Sequence, residues 1–165
     1  MNIRLLNKDD WSAFRSLRLT ALSEHPEVFG SSFEEESNMS DEVFKTGFNN
    51  CDIFGAFETN QLIGCGGFFV LSQAKMSHRG VLFSMYCNLQ NRNKGVADAL
   101  VKAIISHAKS RVIQLHATVV TTNQAALRLY EKNGFKVYGT EPRSLKVGNQ
   151  FYDEHMLILV FKDND

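Results

Sequence analysis

Near residue 95 the hydrophobic pattern changes period, and this change constrains the fold more than any other feature of the chain. Before it, apolar residues come in short runs, Ile53 to Phe57, Leu62 to Leu71 and Val81 to Cys87, separated by turn residues. Such runs predict strands. After it, Val96, Leu100, Ile104 and Ala108 recur every four residues with Ala97, Val101 and Ile105 beside them, while Asp98, Lys102, Ser106 and Lys109 fall mostly elsewhere. That spacing predicts an amphipathic helix of about four turns. A chain that moves from strands to a helix and back belongs to the mixed classes.

The rest of the chain fills in that frame. Asn2 to Leu6 reads as a first strand, and a helix follows from Asp9 or Asp10, either of which is a candidate cap, to about Ser23. Trp11, Phe14, Leu17 (or Arg18), Ala21 and Leu22 form its apolar face, and Pro26 ends it. Val28 to Asn38 reads as a loop carrying the acidic run Glu34, Glu35 and Glu36. Ser40 or Asp41 opens a short helix reaching Phe48, and Thr59-Asn60-Gln61 joins two strands as a hairpin. Glycines 64, 66 and 67 hint at a bulge or a close backbone approach in the second of them. Beyond the long helix come a strand (Ile113 to Val120), a helix (Gln124 to Asn133) stopped by Gly134, and strands from Phe135 to Gly139 and from Phe151 to Phe161. The sum is one α+β domain spanning residues 1–165.

Composition removes several classes. Lys plus Arg (18) equals Asp plus Glu (18), so the basic excess of a nucleic-acid or anionic-membrane binder is missing. No apolar run reaches the ~18 residues of a membrane span, and the N-terminus has no signal-peptide core. Cys51, Cys65 and Cys87 are odd in number and form no C-x-x-C pair. The expectation is free thiols in a reducing cytoplasm and no metal site.

Two motifs carry chemistry. The first is Gln90 to Ala97, QNRNKGVA, between the strand ending at Cys87 and the long helix. A helix start leaves about four N–H groups unpaired and carries roughly half a positive charge. Gly95 permits positive φ or close approach of an anion, Ala97 is too small to block it, and Arg92 and Lys94 add mobile charge. Charge-assisted hydrogen bonds of about 1.5–3 kcal/mol each would anchor a diphosphate. The segment matches neither a Walker A loop nor a G-x-G-x-x-G fingerprint. Alone, it also fits a plain basic helix start.

The second is the helix Asn123-Gln-Ala-Ala-Leu-Arg-Leu-Tyr130-Glu-Lys-Asn-Gly-Phe135. Residues 123, 126, 127 and 130 share one face, which places Asn123 and Tyr130 about 10 Å apart along the axis. That face would hold an amide-rich ligand arm with the phenol at its far end. It would equally suit a core helix whose Tyr packs and whose Asn caps.

Together, R-x-x-G-x-[GA] before one helix and N-x-x-A-x-x-L-Y-x-x-x-G-F in the next resemble the GNAT superfamily of N-acetyltransferases. The resemblance implies a GNAT acyltransferase fold: a mixed, mostly antiparallel sheet of about seven strands flanked by about four helices. It implies acetyl-CoA as cosubstrate, with its pyrophosphate on Arg92, Asn93, Lys94, Gly95, Val96 and Ala97. It further implies pantetheine along Met85, Tyr86 and Cys87 and beside Asn123 and Ala126, and Tyr130 against the sulfur as general acid. Leu89 stands where many members have proline, and Ala97 replaces a second glycine; neither change removes an N–H donor.

The acceptor is then a primary amine of a small molecule or peptide. Rival readings are a protein N-terminal or lysine acetyltransferase and a non-catalytic acyl-CoA sensor. A lysine-like amine (pKa about 10.4) needs a base at pH 7. Glu34, Glu35 and Glu36 in the acidic loop, Tyr86, and Asp153, Glu154 or His155 near the C-terminus are the acceptor-side candidates. Cys87 invites an acetyl-cysteine route, but no activating base stands near it in sequence, and a buried thiol is the simpler reading. His116 alternates with Leu115 and Ala117 and reads as a packed or surface histidine. A homodimer is common in folds of this kind.

Overall fold

A computed structural model describes residues 1–161. Seven strands, β1 (Asn2–Leu5), β2 (Asp52–Glu58), β3 (Gln61–Val70), β4 (Arg79–Cys87), β5 (Gln114–Val120), β6 (Lys136–Val147) and β7 (Gln150–Val160), form one sheet. Its spatial order is β1-β2-β3-β4-β5-β7-β6. Every neighbouring pair is antiparallel except β4 and β5. The α-helices are α1 (Trp11–Glu24), α2 (Phe33–Ser37), α3 (Asp41–Asn49), α4 (Val96–Ala108) and α5 (Gln124–Lys132). None of the described helices is long and apolar enough to cross a membrane.

Alternation along the strands gives the sheet two apolar faces. Ile53 and Leu62 face the cluster under α1 and α3, while their neighbours Phe54 and Ile63 face the cluster under α4. The apolar row of α4 is fully buried at Leu100, Ile104 and Ala108, against Phe68, Leu115 and Leu157. Burying one such leucine stabilises the fold by roughly 1.5–3 kcal/mol. The β2–β3 hairpin closes through Thr59 and Asn60, both at positive φ (47° and 66°), the backbone that matches the twist of a two-residue turn.

The acidic stretch departs from the expected loop. Ser32 accepts from the Glu35 N–H at 3.1 Å and the Glu35 carboxylate accepts from the Ser32 N–H at 3.0 Å, a reciprocal capping box that starts α2. One turn on, Glu36 is buried and pairs with the Arg18 guanidinium of α1 at 2.8 Å. This fifth helix is the one beyond the expected four. Asp10 stands at the N-cap position of α1, but its carboxylate takes the Arg4 guanidinium instead of capping. β6 also runs past the expected Gly139 to Val147, through a register shift between Glu141 and Leu145. A bulge there accommodates Pro142, which has no N–H for the ladder.

Candidate active site

β4 and β5 pair only at Arg79↔Gln114, Gly80↔Leu115 and Val81↔His116. Beyond Val81 they diverge and open a wedge. Its origin is a bulge in β4: between Cys65 and Gly67 of β3, β4 advances from Tyr86 back to Phe83, one residue too many. Ser84 takes φ +54° to absorb it, and the Met85 side chain lies over Gly66, where any Cβ would collide with its sulfur. A bulge bends and twists its strand, which turns β4 away from β5. The β4 backbone from Leu82 to Cys87 is left without a ladder partner on that side, so its polar groups await a ligand or water.

α4 starts at the mouth of the wedge. Gly95 sits at its N-cap with φ +80° and Asn93 precedes it at φ +61°. A Cβ on Gly95 would meet nothing within 4 Å, so this glycine is required by backbone conformation and not by crowding. Among the described residues the N–H groups of Gly95, Val96, Ala97 and Asp98 have no hydrogen-bond acceptor. Lys94 is exposed and off the wall of the cleft. Arg92 is on the wall but already engaged: Nε donates to the Cys87 carbonyl at 3.1 Å and Nη2 to His25 Nε2 at 2.8 Å. The mobile charge expected of Arg92 is therefore tied down. Asp98, an anion beside these open N–H groups, is offset by Lys102 (2.8 Å) and Lys132 (3.4 Å). The Lys102 hydrogen bond, then that from Asn133, lowers its carboxyl to about 2.

α5 forms the opposite wall. The Asn123 side chain caps it, accepting from the Ala126 N–H at 3.1 Å, and also lines the cleft with Ala126, Leu129 and Tyr130. Leu127, expected on that face, packs against the core instead. Tyr130 is 5% exposed, with its ring edge-on to Phe135 at 5.4 Å. Burial alone pushes its phenol well above the ordinary value. Its hydroxyl has no partner among the described residues and opens into the cleft.

On the α1 side the cavity continues as a chamber beside the turn that follows α1. The turn Pro26–Val28 packs against β5 and β6, and Glu27, Val28 and Phe29 line the cavity together with Phe83, Thr118, Met156 and Glu154. The whole cavity measures about 1060 Å³. Tyr86 lines it and donates to Glu24 at 2.6 Å; burial, then the Glu24 carboxylate, raises its phenol. Glu34 and Glu35 do not line the cavity; the Glu35 carboxylate is spent on the α2 cap. Asp153 is also off the wall, accepting from the Arg143 N–H at 2.7 Å, whereas Glu154 faces inward. Cys87 is on the wall, but burial raises its thiol, and it leans on the Asn88 carbonyl at 3.6 Å. His116 lines the paired end of the wedge, where Arg79 Nε donates to its Nε2 at 3.3 Å. Burial, then the Arg79 charge, lowers its pKa.

The sequence matches the acetyltransferase (GNAT) family over residues 11–135. The chain belongs to that family. It is an acetyl-CoA-dependent acetyltransferase, and its GNAT fold recurs widely among solved structures. An acetyltransferase of the GNAT family from Streptococcus pneumoniae superposes with TM-score 0.85 at 22% identity, over 98% of this chain and 99% of that one. A putative acetyltransferase from Salmonella typhimurium, solved with its cofactor acetyl-CoA, gives 0.87 at 17% identity over 100% and 96%. A ribosomal-protein-alanine N-acetyltransferase from Brucella melitensis gives 0.83 at 18% over 98% and 100%. No match is found among curated proteins.

The residues of this GNAT acetyltransferase fit acetyl-CoA. Open N–H groups at the start of α4 suit a diphosphate. The unpaired β4 edge suits amides, and the cavity exceeds the usual ~300–1,000 Å³ of a ligand pocket. Ser84, His25, Phe29, Thr118, Tyr138 and Glu141 of this site escaped the sequence reading. Only the β3 glycines signalled any of them, through the bulge opposite Gly66.

Proposed function

We propose that this enzyme moves the acetyl group of acetyl-CoA directly to a primary amine of a small molecule or peptide, as a single cytoplasmic domain without a metal. The carrying observation is one cleft that runs unbroken from the open N–H groups of α4, past the unpartnered Tyr130 hydroxyl, to the chamber under Pro26–Val28. The three free cysteines support the cytoplasmic location.

Acetyl-CoA, when bound, supplies the acetyl group as a thioester. Backbone N–H groups of Gly95 to Asp98 bind its diphosphate, with the α4 dipole adding to them. The open edge at Met85, Tyr86 and Cys87 holds the pantetheine amides and polarises the carbonyl. Asn123 and Ala126 border the same arm. Burial keeps the Tyr130 phenol protonated at pH 7, so it donates a hydrogen bond to the departing sulfur. On the acceptor side, Tyr86, hydrogen-bonded to Glu24, offers a relay for the proton that the amine loses. Glu34, Glu35 and Asp153 have no part in this reading.

The test is CoA thiol release against a panel of amines and peptides. Turnover on a small amine or short peptide is the expected result; tight acetyl-CoA binding without turnover on any acceptor would support a sensor instead. A homodimer belongs to the same reading, and light scattering tests it against the 18.7 kDa of one chain.

A further inference from the structure

Glu141 of β6 and Glu154 of β7 face each other in register, and both line the chamber. Glu154 is 9% exposed. Its Oε2 accepts from the Ser144 hydroxyl at 2.6 Å, and the same hydroxyl lies 3.4 Å from Glu141 Oε2. One proton thus serves two carboxylates. Glu154 Oε1 has no donor among the described residues and is not sealed from the cavity. A buried carboxylate left half-satisfied beside a second anion is costly unless a cation joins it.

The described residues supply none there. Among the described residues, no Lys, Arg or His comes within ion-pairing distance of either carboxylate. Arg143 arches away at φ +54° with its guanidinium 5.3 Å from the Phe151 ring. The cations on the cavity wall are elsewhere: Arg18 on Glu36, Lys132 on Asp98, Arg92 on His25, and Arg79 on His116 at the paired end of the wedge. Tyr138, on the same strand as Glu141, adds an aromatic wall.

Resting on the acetyl-transfer reading above, we infer that the acceptor is a dication whose second ammonium or guanidinium group sits between Glu141 and Glu154 while its free amine meets the thioester. The substrate class is a diamine, a polyamine or a basic amino-acid derivative. A simple alkylamine fills the amine end and leaves the carboxylates unpaired.

The experiment compares a ladder of α,ω-diamines, from 1,3-diaminopropane to 1,8-diaminooctane, with n-alkylamines of equal length. The best diamine should exceed its alkylamine by about tenfold or more in kcat/KM, the worth of a charge-assisted contact. Glu141→Gln, at an exposed position, and Glu154→Gln should each shrink that ratio about tenfold. A wild-type ratio near one, or a ratio unchanged in Glu141→Gln, overturns the inference. Calorimetry of the same amines on the CoA-loaded protein reads the cation site separately: tighter binding of the diamine, lost in Glu141→Gln, supports it, and equal binding overturns it. Absence of CoA release on every amine would strike the transfer reading alone, with calorimetry still deciding for or against the cation site.

Discussion

Replacing Tyr130 with phenylalanine removes one oxygen and little else. The ring keeps its edge-on contact with Phe135 at 5.4 Å, and no hydrogen bond to the described residues is lost. Stability should therefore change by less than about 0.5 kcal/mol, or roughly 2 °C in Tm for a chain of this size. On the proposed reading, what disappears is the donor to the leaving sulfur. Hydrogen bonds to charged groups contribute about 1.5–3 kcal/mol, and each ~1.4 kcal/mol is tenfold, so kcat should fall roughly 10- to 150-fold. A thioester sulfur in the ground state is a weak acceptor, so acetyl-CoA affinity should shift by less than about threefold. Thiol appearance at saturating acceptor gives kcat, calorimetry gives Kd, and a melting curve checks the fold. In the wild type, burial raises the phenol, so its ionisation should impose no falling limb on kcat below about pH 10. A variant that melts normally and keeps its kcat within about twofold would refute the donor role.

Gly95→Ala places a Cβ in open space but at φ +80°, so the fold should lose about 1–2 kcal/mol and the anion site its geometry. Acetyl-CoA should bind about tenfold more weakly by calorimetry, and unchanged affinity would mean that the diphosphate does not rest on α4. Cys87→Ala should keep kcat within about threefold, because burial holds the thiol protonated. Labelled acetyl trapped on Cys87 of the wild type, with activity lost in the variant, would reverse that. Glu36→Ala strands the Arg18 charge in a buried setting and should cost about 3–5 kcal/mol in urea unfolding. An unshifted midpoint would show that the pair is dispensable.

The motifs proposed for the donor half are legible because local rules govern them. A glycine at a helix start, a four-residue apolar row and a capped helix ending in Gly134 all act over a few residues. The acceptor half depends on contacts far apart in sequence. Arg18 meets Glu36, Tyr86 meets Glu24, and Glu141 faces Glu154, and no spacing rule joins such pairs. α2 was an intermediate case. Its Ser32-Phe-Glu-Glu35 signature is readable, but five residues are too few for an apolar period to show through. Asp153 and Glu154 differ only in which face of β7 they occupy, and the bulge in β6 opposite them hides that parity. The position of Arg92 beside the start of α4 is readable from the sequence. Its restraint by the Cys87 carbonyl and His25 required the fold.

The proposed function requires one cleft to bring acetyl-CoA and an amine together. The most direct measurement incubates the protein with acetyl-CoA and one acceptor, and follows CoA release and acceptor mass together. Each CoA released should be matched by one acetyl group gained by the amine, and Tyr130→Phe should slow both alike. CoA release without a heavier acceptor, or bound acetyl-CoA that no amine discharges, would contradict it.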